Sequence, residues 1–144
     1  MPLSNIPQDI MIIDRPNGAD DLLKRSILSS NPSAHIRCHA NGFAALQQLS
    51  FLQLAGKLGN WPELIFVNLS MPEFNGWDFL DHFEEIADSE HRPIKIVLLA
   101  TKVTKSVLRR FERYSHLDVQ LAQKPVTQED LDNFMIPPAS QNVA

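Results

Sequence analysis

Glu63-Leu64-Ile65-Phe66-Val67-Asn68-Leu69-Ser70-Met71-Pro72-Glu73-Phe74-Asn75-Gly76-Trp77-Asp78-Phe79-Leu80 reads as strand, turn and helix in one stretch. Leu64 to Val67 is a continuous apolar run, the pattern of a strand buried on both faces of a parallel sheet. Pro72 and Gly76 punctuate a tight turn. Phe79, Leu80, Phe83 and Ile86 then recur at helical spacing.

The same alternation extends in both directions. Ile10 to Ile13 is a short apolar strand ending at Asp14. Leu22, Leu23 and Ile27 mark a helix that Asn31-Pro32 stops. His35 to His39 is a weakly alternating strand suited to a sheet edge. Ala45, Leu46, Leu49 and Leu52 form a second helical face, closed by Gly56 and Gly59. Ile94 to Ala100 is the third strong strand. Val103, Val107, Leu108, Phe111 and Tyr114 return to helical spacing, and Val119 and Leu121 alternate in a last strand. Thr127 caps a final helix whose first turn carries Glu129 and Asp130, which the helix dipole favours. Leu131, Phe134 and Met135 are its inward side. Strict alternation of five strands with five helices predicts right-handed crossovers and a doubly wound α/β sheet.

The totals set limits. The 144 residues suit one domain, with 44% hydrophobic and 21% charged residues, a globular balance. A net charge of -4 gives no field for nucleic acid. No apolar run reaches the length of a membrane span, and the first residues lack the basic and apolar regions of a signal peptide. The expected location is the cytoplasm. Cys38 is the one cysteine, so no internal disulfide forms; it is expected buried, on the strand face opposite His35 and His39. The five histidines are scattered. No glycine-rich phosphate loop follows the first strand, no nucleophile elbow is present and no catalytic triad can be assembled, so the chain is not expected to be an enzyme. Residues 1–8 read as an N-terminal extension, 9–136 as the domain, and 137–144, rich in proline and polar residues, as a disordered tail.

Met71-Pro72 and Asn75-Gly76, together with Lys124-Pro125 before the last helix, make the chain resemble a response-regulator receiver domain over about Asp9 to Met135. The resemblance implies a flavodoxin-like, three-layer fold with a five-stranded parallel sheet of order 2-1-3-4-5. It also implies a pocket at the carboxyl ends of the strands. In that family the third strand ends in an aspartate that accepts a phosphoryl group; here the position holds Asn68. A carboxylate can form an acyl phosphate, whereas an amide is too poor a nucleophile.

Three further positions depart from the family. Asp14 matches the first of two acidic residues after the first strand, but Arg15 stands at the second. Ala100 occupies the place of a Thr or Ser hydroxyl, with Thr101 one residue on. Leu121 replaces the usual aromatic three residues before the lysine. Lys124 is retained and is expected to pair with Asp14, for which adjacent Arg15 is the other candidate; the resemblance makes Lys124-Pro125 a cis-proline candidate. One carboxylate facing two cations is a poor Mg²⁺ site, so no metal and no cofactor are expected.

The resulting expectation is a stand-alone pseudo-receiver of two-component signalling. It would be independent of phosphorylation and would act through a sensor kinase, another receiver or an effector. The alternatives are a receiver phosphorylated on another group, such as Ser70 or Thr101, and a small-anion sensor. Lys102, Lys105, Arg109 and Arg113 fall on the helix side opposite Val107, Leu108 and Phe111. With Glu129 and Asp130 on the last helix they form a candidate partner surface, complementary in charge across a weak two-fold dimer.

Overall fold

The computed structural model describes residues 7–15, 19–56, 61–87 and 94–135. The N-terminal residues 1–6, Gly59, His91 and the tail from 137 lie outside the described residues. Chain order is β1 (Asp9–Ile13), α1 (Ala19–Ser30), β2 (His35–His39), α2 (Gly42–Leu54), β3 (Leu64–Asn68), α3 (Gly76–Ile86), β4 (Lys95–Ala100), α4 (Lys105–Phe111), β5 (Val119–Gln123) and α5 (Gln128–Phe134). All strand pairs are parallel and the sheet order is β2-β1-β3-β4-β5. This is the flavodoxin-like arrangement, with five strands and five α-helices among the described residues. The strand order reverses at β1, between β2 and β3, and such a switch point opens a crevice at the strand ends.

Period-two alternation divides the core between the sheet's two faces. Met11, Ile13, Ile65, Val67, Ile96 and Leu98 meet α2 and α3 through Ala45, Leu49, Phe79, Leu80 and Phe83. Ile10, Ile12, Leu64, Phe66, Val97 and Leu99 meet α1 and α5 through Ile27, Leu131 and Phe134. Every residue of β3 and β4 is buried, which is why these strands read as unbroken apolar runs. Each fully buried aliphatic or aromatic side chain contributes about 1.5–3 kcal/mol relative to exposure. Among the described residues no helix is long and apolar enough to cross a membrane.

Local chemistry sets the helix ends. Asn75 and Asp78 form a reciprocal capping box at α3, and Thr127 and Asp130 form another at α5. Gly56, at φ 72°, closes the turn after α2. Asn31 is buried just past α1, where its amide donates to the carbonyl of Pro7 at 3.0 Å. This bond ties Pro7 to the end of α1.

Three expectations are corrected. Leu22 is 64% exposed, because α1 turns only Leu23 and Ile27 toward the sheet. Leu108 is 46% exposed and α4 has no fully buried residue. This helix ends after two turns and continues as a 3₁₀ turn, Glu112–Tyr114, which shifts burial onto Tyr114. Cys38 is exposed rather than buried. It lies on an edge strand none of whose residues is fully buried, so alternation alone did not ensure cover.

Candidate functional site at the carboxyl ends of the strands

Strand pairing fixes the site. The backbone N–H of Asp14 donates to His39 O, that of Leu69 to Leu99 O and that of Lys124 to Ala100 O, so with the β1–β3 pairing all five strand ends are held level. Asn68 closes β3 and Ala100 closes β4. Gly76 brings α3 against this edge. A Cβ there would lie 3.0 Å from the Leu69 Cα and 3.1 Å from the Asn68 carbonyl oxygen. The Asn-Gly pair thus has two physical reasons: Asn75 caps the helix, and Gly76 permits close approach to β3. Within the turn, Glu73 adopts φ 68°, a left-handed conformation uncommon for a residue with a side chain.

Asp14 is the centre of the buried polar network, at 4% exposure. Its Oδ2 accepts from Lys124 Nζ at 2.8 Å. Its Oδ1 accepts from Asn68 Nδ2 and from the Arg15 backbone N–H, each at 2.7 Å. Asn68 is 3% exposed, and its Oδ1 accepts from the Ser70 backbone N–H at 3.2 Å. Both carboxylate oxygens and both ends of the amide are therefore matched, as burial requires. The partner of Asp14 in the ion pair is Lys124. Arg15 supplies only its backbone here, and its exposed guanidinium makes no ion pair among the described residues.

The other pocket residues divide by access. Ala100 is 3% exposed and presents a methyl group, while Thr101 beside it is exposed. Leu121 is half-buried in the core. The Lys124-Pro125 bond is cis. Arg15, Ser70 and Thr101 form a ridge between two clefts. One, of about 720 Å³, also contacts Met71, Trp77 and Lys102. The other, of about 640 Å³, reaches Asp14, Leu22, Asn68 and Lys124.

These residues do not fit the Mg²⁺ that the receiver family uses. The cation wants carboxylate and water oxygens in octahedral array. Asp14 already spends both oxygens on protein donors, Asn68 turns its NH₂ toward that carboxylate, and Arg15 brings positive charge. Among the described residues no three His, Cys, Asp or Glu side chains come together as a metal-holding group.

On the candidate partner surface, Lys102, Lys105, Arg109, Arg113 and Glu129 are exposed. Asp130 is half-buried, and its carboxylate accepts from the Thr127 backbone N–H in the capping box at 3.3 Å. That local bond competes with any intermolecular pairing. The sequence reading missed a cluster next to this surface. The Trp77 and Tyr114 rings stack 5.6 Å apart, Arg110 lies over Trp77, and the Tyr114 hydroxyl donates to Asp81 at 2.6 Å. Burial, then this hydrogen bond, raises the Tyr114 pKa. The signal available in the sequence was Arg110, flanked by two stripe arginines yet pointing elsewhere.

No family model matches the chain, and no curated protein matches it. Solved structures do. A two-component response regulator from Cytophaga hutchinsonii superposes with a TM-score of 0.73 at 25% identity, covering 88% of this chain and 92% of that one. The signal receiver domain of a histidine kinase from Syntrophus aciditrophicus gives 0.68 at 20% identity, with 88% and 85% covered. The chemotaxis protein CheY4 of Vibrio cholerae gives 0.68 at 15% identity, with 94% and 98% covered. The fold of this chain is that of the response-regulator receiver domains.

Proposed function

We propose that the chain is a phosphorylation-independent receiver-like module of a two-component pathway that acts by binding other signalling proteins. Its receiver-domain neighbours support a signalling role of this kind. The observation that carries the finer reading is the buried bond from Asn68 Nδ2 to Asp14 Oδ1. The position that would take a phosphoryl group presents an amide, and that amide is committed to holding the neighbouring carboxylate. Ala100 offers no hydroxyl to a phosphoryl oxygen, and Leu121 offers no aromatic to swing with one. Candidate partners are a sensor kinase, another receiver or an effector. The test is incubation with acetyl phosphate and Mg²⁺ followed by intact mass. The expected result is no adduct of about 80 mass units, acid-labile or acid-stable. An adduct on Ser70 or Thr101 would overturn the reading in favour of a receiver with a displaced acceptor.

A second reading, a small-anion sensor, has one specific observation in its favour. The Arg15 guanidinium is uncommitted among the described residues and lines both clefts. Calorimetry with phosphate, sulfate and a nucleotide tests it. Heat from any of them that Arg15→Ala removes would support a sensor.

A further inference from the structure

Helix α2 is apolar on both sides, and only one side has a protein partner. Its sequence, Gly42–Leu54, contains no charged residue. Ala45, Leu46, Leu49 and Leu52 fill the inner face and are buried. On the outer face Phe43, Phe51 and Leu54 are 58%, 66% and 88% exposed, with Gln47 and Ser50 between them. A surface helix ordinarily carries its polar and charged residues on this side. Beside it runs a groove of about 500 Å³ between α2 and α3, whose floor includes Leu46, Phe74 and Ile86. Phe43 and Phe74 meet edge to face at 6.4 Å, which fixes one wall. His82, packed against Phe74, and Glu85 give the groove a polar rim.

We propose that this face is a self-association surface, on which α2 of a second copy packs antiparallel about a two-fold axis. The helix is self-complementary in that orientation. Phe43 and Leu54 stand near its opposite ends, so an antiparallel partner brings Phe43 against the partner's Leu54, and the reverse. Gln47 meets the partner's Ser50 near the axis, where two polar side chains can hydrogen-bond. Phe51 comes level with Leu46, on the floor of the groove of the opposite copy. An isologous contact requires this reciprocity. Because α2 has no charge, the axis brings no like charges together. At roughly 150–250 Å² for a large aromatic, the three exposed side chains offer about 300–400 Å² of apolar area per copy. The smaller specific interfaces bury roughly 600 Å² per partner and are about two-thirds apolar in homodimers. Gln47, Ser50, His82 and Glu85 supply the remaining, polar part. The area suits a reversible dimer rather than a permanent one.

Sedimentation velocity over about 10 μM to 1 mM tests the proposal. The expected result is concentration-dependent dimerisation that persists at high salt, since apolar burial is not screened. Leu54→Glu and Phe51→Glu should each weaken it at least roughly tenfold, the size typical of a buried apolar anchor. Both sites are exposed, so circular dichroism should show an unchanged fold; should either variant unfold, the other variant and the salt series still decide. Arg109→Glu with Arg113→Glu should leave the dimer intact. Three results would overturn the proposal: a monomer throughout the range, a dimer indifferent to both α2 substitutions, or a dimer lost with the two arginines and at high salt. The first points to a different occupant of the groove, and the last to the α4–α5 surface.

Discussion

Asn68 donates to Asp14 at 2.7 Å, so the residue that closes β3 binds the buried carboxylate, which an aspartate in its place would repel. In a receiver pocket several carboxylates crowd one place and a cation holds them together. Here a neutral amide and the Lys124 ammonium do that work, with no charge left over for a metal. The site is a closed hydrogen-bonded unit, and its chemistry follows from that closure.

An aspartate at position 68 should therefore harm the fold. Asn68→Asp places a second carboxylate against Asp14 in a buried site and removes the donated bond. A loss of about 1–3 kcal/mol is expected at neutral pH, smaller in acid, where one carboxyl of the pair can keep its proton. Urea denaturation at two pH values measures it. The same variant should label poorly with acetyl phosphate, because Arg15 still stands where a second acid is needed. Unchanged stability together with rapid labelling would show that the pocket accepts Mg²⁺ after all.

Asp14→Ala should cost about 1–3 kcal/mol, since it leaves the half-buried Lys124 without its counter-charge and the buried Asn68 amide without its acceptor. Asp14→Asn should cost less, because an amide oxygen still accepts from one of them. Equal losses for the two variants would mean that hydrogen bonding contributes little and charge nearly all. Chemical denaturation at fixed ionic strength separates these outcomes.

Gly76→Ala tests the turn geometry. The added methyl meets the Leu69 backbone and the Asn68 carbonyl, neither of which is the free end of a flexible side chain. Overpacking of this kind costs about 1–3 kcal/mol. The shift should also reach the site, because Asn68 and Leu69 carry the contact. Amide chemical shifts of Asp14 and Ser70 should therefore move in the variant. A stability loss with no change at those amides would confine the strain to α3.

The fold was legible because its signals are redundant. Continuous apolar runs at β1, β3 and β4 mark buried parallel strands, and the Asn75 and Thr127 caps mark helix starts. The positions of Asp14, Asn68, Ala100 and Lys124 at neighbouring strand ends followed from that alternation together with the receiver resemblance. What failed was burial where cover depends on distant packing. Leu22, Leu108 and Cys38 have apolar character and fit the local period, yet lie on a helix flank, on a two-turn helix and on an edge strand. The outer face of α2 was illegible for a related reason: period alone identified its buried stripe and gave no account of Phe43, Phe51 and Leu54. The ion pair of Asp14, by contrast, was legible, because the retained Lys124 is expected to pair with it and hold the fold together. Arg15 is adjacent, but the buried carboxylate is reached by Lys124 from β5 across the sheet.

The alkaline limb of the stability curve should carry two opposed contributions. Burial and the bond to Asp81 raise the Tyr114 pKa above its ordinary 10.0. The folded state then keeps a proton that the unfolded chain has lost. This stabilisation is complete below about pH 10 and disappears as pH rises through the raised value. Lys95, 7% exposed with its Nζ donating to Phe134 O, has its pKa lowered from 10.5 by burial, against an opposing pull from Asp118. Here the unfolded chain holds the extra proton, so stability rises with pH between the lowered value and 10.5. Single variants separate the two. Tyr114→Phe should flatten the alkaline fall, and Lys95→Met should steepen it, in denaturation curves taken between about pH 8 and 11. A Tyr114→Phe profile parallel to wild type would show that the hydroxyl titrates alike in both states, and that the contact of Tyr114 with Asp81 does not hold its proton.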